Sequence, residues 1–227
     1  MTRITKHLVN LKSRISAACA KAGRNETEVS ILAVSKRHDV DAIHEAHAAG
    51  LNAMGENYLQ EALLKMPRCP SDIAWHYIGT VQSNKTRPLA EHFAWVQTVA
   101  SIKVARRLSK QRPASMPPLN ICVQVCLDAD SSHGGVLPAA AAELCAEVAT
   151  LPNLQLRGLM AIPEPAADAA SQRRPFAKLR TLYEQLNTQG LTLDTLSMGM
   201  TNDLEAAIME GSTLIRVGTA LFGPRPE

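Results

Sequence analysis

Aromatic side chains are scarce, 4% of the 227 residues, so any core this chain builds is aliphatic. A base-stacking surface for single-stranded nucleic acid has little to draw on. Charge of one sign is also missing. Lys and Arg number 24 against 21 Asp and Glu, a net +3, too little bias for an electrostatic nucleic-acid footprint. Lys85 and Arg87 alone do not supply one, and Arg106, Arg107, Lys110 and Arg112 recur at helical spacing, as on a solvated helix face. No apolar run approaches the roughly 18 residues of a membrane-spanning helix. Residues 1–23 lack the unbroken apolar centre of a signal peptide, being interrupted by Lys6, Lys12 and Arg14. The five cysteines, Cys19, Cys69, Cys122, Cys126 and Cys145, are odd in number and show neither a CxxC nor a zinc-type spacing. That pattern excludes a disulfide framework and points to a reducing compartment, the cytoplasm.

What remains is ordinary globular material, 46% apolar and 20% charged. No linker-like stretch divides it, so residues 1–227 are expected to form one domain, and without an apolar heptad or orphan edge strand a monomer is expected. Ile4, Leu8, Leu11, Ile15 and Ala18 mark a first helix ending near Gly23. Strand and helix patterns then alternate. Strands are expected at 29–34, before Gly55, and at 74–78, 93–99, 119–127, 154–162, 193–197 and 213–217. Asp39 and Gly50 bracket the first intervening helix, and a short helix over 202–210 has Thr201 available as its cap. β-then-α order allows an open doubly wound sheet or a closed (β/α)8 barrel, and eight strands at this length favour the TIM barrel with an extra N-terminal helix.

Chemistry in such a barrel gathers at the strand C-terminal ends. Lys36 stands there, closing Val29-Ser30-Ile31-Leu32-Ala33-Val34-Ser35. Taken alone it reads as a solvated lysine, but an amine at the mouth of a desolvating pocket also condenses readily with an aldehyde. After the last two strands come Ser197 with Gly199, and Arg216 with Gly218 and Thr219. These glycines either make tight turns or free backbone N–H groups for a phosphate, with the Ser197 and Thr219 hydroxyls as further donors. An amine, a phosphate corner and an inward arginine together suit pyridoxal 5′-phosphate (PLP).

The blocks ILAVSK, GENYLQEA (55–62), WHYIGTVQSNK (75–85), RGLMAIP (157–163), SMGMTNDLEAAI (197–208) and STLIRVGTALFG (212–223) together resemble the YggS/PROSC family of pyridoxal phosphate homeostasis proteins, in order and over nearly the whole chain. The resemblance implies a barrel like the N-terminal domain of alanine racemases, with PLP in Schiff-base linkage to Lys36. It further implies that Ser197, Gly218 and Thr219 hold the phosphate, that Arg216 faces the pyridine nitrogen, and that Asn57 and His76 lie beside the ring. One departure stands out. His133, in Ser131-Ser132-His133-Gly134-Gly135, occupies the place where the family usually has a lysine, which bears on transfer of the cofactor, and the paired glycines predict a loose loop.

Arg216 is a permanent cation, and a cation opposite the pyridine nitrogen weakens the electron sink on which most PLP catalysis depends. A racemase also needs an acid/base on the ring face opposite the lysine. Alanine racemases take a tyrosine for that role from an added C-terminal domain, whereas this sequence ends at Glu227. Tyr183 falls on an outer helix, and Tyr58 and Tyr77 read as packing residues. The expected function is therefore non-catalytic PLP binding in vitamin B6 homeostasis. Apo PLP-dependent enzymes would be transient partners, and amino-acid and keto-acid balance would be affected indirectly. A minimal racemase and a Schiff-base-forming phosphosugar enzyme are the alternatives. His44 and His47, at i and i+3 on an outer helix, lack a third ligand for a metal.

Overall fold

The computed structural model describes residues 2–127 and 134–224; the loop around His133 lies outside them. Its first element follows from one stripe. Ile4, Leu8, Leu11, Ile15, Ala18 and Cys19 are the buried face of α1 (Arg3–Ala22), which Thr2 caps by accepting the Thr5 amide. Gly23, at φ 66°, closes it in the left-handed conformation that a helix end often takes.

The strands are β1 (Ser30–Val34), β2 (Ala53–Glu56), β3 (Ala74–Tyr77), β4 (Trp95–Val99), β5 (Leu119–Gln124), β6 (Leu154–Met160), β7 (Thr195–Ser197) and β8 (Leu214–Val217). Each pairs in parallel with the next, and β8 returns to β1 with Ile31 opposite Ile215 and Ala33 opposite Val217, so the sheet is closed. Helices α2 (Val40–Ala48), α3 (Leu59–Lys65), α4 (Thr86–His92), α5 (Ile102–Gln111), α6 (Pro138–Ala149), α7 (Ala169–Thr188) and α8 (Leu204–Met209) occupy the crossovers, and α9 (Thr219–Phe222) follows β8. The main apolar cluster fills the space between these helices and the outer strand faces. This is the (β/α)8 barrel with its additional leading helix.

The barrel interior has two characters. Leu32, Val34, Ile78 and Leu214 form a small apolar cluster, while His76, Gln97, Ser197 and Arg216 are buried polar neighbours. The Ser197 hydroxyl on β7 donates to Gln97 Oε1 on β4 at 2.6 Å. Residues from strands so far apart in the sheet meet only across the lumen, so this polar layer crosses the barrel.

Several local expectations change. The helix expected over 202–210 begins at Leu204, and Thr201 is not its cap; its Oγ1 accepts the Ala220 amide instead. Arg112 is not on a solvated face. It sits beyond the end of α5, is buried, and donates to the carbonyls of Ala90, Phe93 and Pro117, satisfying three loop acceptors at once. Strands β5 and β6 stop two or three residues short of the apolar runs that contain them, because those residues turn into the mouth loops. Tyr58 is not packed inside but half exposed, with the Arg37 guanidinium 5.9 Å from its ring centroid. His44 and His47 bond the Arg68 carbonyl and Asp72, and the described residues contain no cluster able to hold a metal ion. None of the described helices is long and apolar enough to cross a membrane.

Candidate functional site

A cavity of about 350 Å³ opens at the C-terminal ends of the strands. Lys36 and His38 reach it from the β1 loop, Asn57 from β2, Ile78 from β3 and residues 162–166 from the loop after β6. Met200 to Asp203 line it after β7, and Arg216, Gly218 and Thr219 after and within β8. Thus the fold brings Lys36, Asn57, Arg216, Gly218 and Thr219 to one cavity.

The backbone around Lys36 is pinned on both sides. Lys65 Nζ donates to the Ser35 carbonyl at 2.9 Å, and the Ser35 hydroxyl donates to Glu56 Oε1 at 2.7 Å. On the other side, Arg37 adopts φ 63°, an unusual value for a residue with a Cβ, and its N–H donates to Glu61 at 2.5 Å. Lys65 also bonds both carboxylates, Glu56 at 2.8 Å and Glu61 at 2.5 Å. Burial pushes the Glu56 carboxyl above its usual range despite the ammonium beside it. The cluster thus leaves the main chain on either side of Lys36 little freedom.

Asn57 is set by a close approach. A Cβ on Gly79 would lie 2.1 Å from the Asn57 carbonyl oxygen, so only glycine lets the two loops touch. Its Oδ1 is buried without a hydrogen-bond partner, although the residue lines the cavity. An orphaned polar atom on a cavity wall is what a polar ligand would satisfy.

Arg216 is 4% exposed. Its guanidinium donates to Ser197 O (2.6 Å), Ser197 Oγ (2.9 Å) and Ala161 O (2.9 Å). Burial lowers its pKa to about 10, partly opposed by the Asp203 carboxylate, so it remains cationic near neutrality. From Arg216 the bonding runs inward. Ser197 Oγ donates to Gln97 Oε1, which turns the Gln97 amide nitrogen toward His76 Nδ1 at 2.8 Å. His76 stacks on Trp95, centroids 4.9 Å apart, and burial, with Arg157 nearby, lowers its pKa to about 3. It is a neutral ring carrying its proton on Nε2.

Ser197 and His76 are therefore in the lumen and not on the cavity wall. The hydroxyl at the wall after β7 is that of Thr201, four residues on. Gly199 makes that turn: at φ 94° its Cβ would also lie 2.6 Å from Ala207 Cβ. Thr201, Asp203, Glu164 and His38 are wall residues that sequence reasoning passed over. Thr201 was assigned to a helix cap, and His38 had only its place two residues beyond Lys36 to signal it. Burial raises the Asp203 carboxyl, and its Oδ1 accepts the Met200 amide at 2.5 Å.

The residues present fit PLP. Lys36 offers the amine for an aldehyde, Thr201, Gly218 and Thr219 offer hydroxyl and backbone groups for a phosphate, and Asn57 Oδ1 lacks a partner. Among the described residues no tyrosine lines the cavity: Tyr77 and Tyr183 donate to the carbonyls of Thr80 and Leu193, away from it.

Fold and site together define a (β/α)8 barrel with a cavity at its mouth, lined by a lysine that follows the first strand. Residues 7–226 match the family described as alanine racemase, N-terminal domain. The chain is 54% identical over 226 residues to the pyridoxal phosphate homeostasis protein of Pseudomonas aeruginosa, covering 99% of this chain and 97% of that one. It is 43% identical over 229 residues to the protein of the same name from Escherichia coli K12, covering 99% and 98%. PipY of Synechococcus elongatus PCC7942, solved with PLP bound, matches with a TM-score of 0.85 at 38% identity, over 97% of this chain and all of that one. The chain belongs to the alanine racemase N-terminal domain family and, within it, to the pyridoxal phosphate homeostasis proteins.

Proposed function

We propose that this protein binds PLP in the mouth cavity, holds it as a Schiff base on Lys36, and acts without turnover in intracellular vitamin B6 homeostasis. The observation that carries this reading is the convergence of Lys36, Asn57, Arg216, Gly218 and Thr219 on one cavity. The solved PLP-bound relative supports it. Bound there, PLP supplies an electrophilic aldehyde and an electron-accepting pyridine ring.

The chain's own residues then divide the work. The Lys65 cluster fixes the main chain on either side of Lys36, so the amine is presented with little conformational loss. Thr201, Gly218 and Thr219 receive the phosphate, taking the part first assigned to Ser197. Arg216 is assigned to the pyridine nitrogen, where a cation disfavours protonation. Asn57 lies beside the ring. His76 acts from the lumen, through Gln97 and Ser197, to orient Arg216.

Weak electron withdrawal and a cavity wall without a tyrosine favour storage and release of the aldehyde over amino-acid chemistry. Apo PLP-dependent enzymes are the recipients, and the cytoplasm is where they meet. The protein acts as a monomer in this reading. Titration of the purified protein with PLP tests the anchor: the yellow band of the bound cofactor is expected in the wild type and absent in Lys36→Ala, and an unchanged band would refute the assignment. Incubation with single L-amino acids should leave their chirality unaltered; enzyme-like racemisation would replace this reading with a minimal racemase.

A further inference from the structure

Helix α1 lies outside the (β/α)8 repeat, yet its polar side chains end at the corner formed by the loops after β7 and β8. Arg14 Nε and Nη2 reach the two carboxylate oxygens of Glu205 at 2.6 and 2.9 Å, and Nη2 also donates to the Thr201 carbonyl at 2.8 Å. Two turns nearer the start of the same helix, His7 Nδ1 is 2.8 Å from the Leu221 carbonyl of α9. The two loops are also tied directly, by the Ala220 amide donating to Thr201 Oγ1 at 3.3 Å. Thr201 and its successor line the cavity. A trans peptide carries its C=O and N–H antiparallel, so a carbonyl held toward α1 fixes the Thr201–Asn202 amide to point the other way.

We propose that Arg14 is a positioning residue for phosphate binding, holding the Thr201–Asn202 peptide in the orientation that receives the anion. The assignment rests on the phosphate of PLP lying at this corner. Arg14 acts through geometry and not through its charge, because Glu205 already neutralises it in a two-point pair. The effect is therefore confined to the phosphate end, while the aldehyde end, set by the separate Lys65 cluster, is untouched.

PLP and pyridoxal, which lacks the phosphate, distinguish the two ends. Both are titrated by absorbance into the full-length wild type, Arg14→Met and Glu205→Gln, with circular dichroism to establish that each variant is folded. Expected is a loss of about tenfold in PLP affinity in either variant, the size of one or two hydrogen bonds, with pyridoxal affinity unchanged. An equal loss for both ligands would reduce Arg14 to a general structural role and overturn the proposal, as would an unaltered PLP affinity. Should Arg14→Met fail to fold, Glu205→Gln carries the same comparison, since the carboxylamide weakens the two-point pair that aims the guanidinium. If the wild type itself bound neither ligand, the PLP reading of the cavity would fall first, an outcome separate from one in which only the variants fail to discriminate.

Discussion

At the scale of single residues, the most consequential groups are the ones facing inward. His76 is neutral because burial lowers its pKa from 6.5 to about 3. The unfolded chain takes up a proton near pH 6.5, and the folded one does so only near pH 3. The ring therefore contributes stability that is complete above pH 6.5 and is lost progressively as pH falls through that window, by about 1.4 kcal/mol per pH unit. Denaturant midpoints measured between pH 6.5 and 4 are expected to fall less steeply in His76→Gln, by close to one proton's worth of slope. An identical slope in the variant would show that His76 is not the buried titrating group. The chain from His76 through Gln97 and Ser197 to Arg216 was not legible in the sequence, because its members come from β3, β4, β7 and β8 and meet only after closure. Lys36 and Arg216 were legible: each is a cation at the edge of an apolar run, a place that burial makes costly unless function requires it.

Among elements, periodicity located α1 and the strands well, since each has one buried stripe or face and the signal is local. It misplaced the start of α8. Thr201 and Asn202 have the residue types of a helix cap, but the Arg14 and Ala220 contacts that hold this segment as a turn come from distant elements. The tie between α3 and the β1–β2 edge has the same hidden character. Lys65 is buried at the end of α3 and bonds Glu56, Glu61 and the Ser35 carbonyl, while Glu56 Oε2 has no partner at all. Lys65→Met would strand the Glu56 charge, so a loss of about 3–5 kcal/mol in unfolding free energy is expected. Adding Glu56→Gln should return part of it, because the stranded charge is then gone. Equilibrium denaturation of both variants checks the pair, and a Lys65→Met variant as stable as wild type would mean that Glu56 is protonated or the cluster solvated. Weakened PLP affinity in the double variant is expected as well, since the Ser35 carbonyl next to Lys36 loses its ammonium partner.

For the molecule as a whole, a ligand gripped by loops from β1, β2, β6, β7 and β8 crosslinks most of the barrel's circumference, and its binding free energy becomes folding free energy. At a hundred times its dissociation constant, one bound PLP adds about 2.7 kcal/mol, which for a domain of this size corresponds to a rise of roughly 5–10 °C in the melting midpoint. The composition of the rise is informative. Lys36→Ala keeps the phosphate corner and Asn57 but has no amine, so at the same PLP concentration its midpoint should move by clearly less than that of the wild type. Pyridoxal should stabilise the wild type less than PLP and the variant hardly at all, since it then lacks both anchors. Differential scanning at matched concentrations reads all four combinations. Equal shifts for wild type and Lys36→Ala would locate the binding energy entirely at the phosphate end and remove the covalent anchor from the account, while a shift that survives loss of both anchors would place the ligand somewhere other than this cavity.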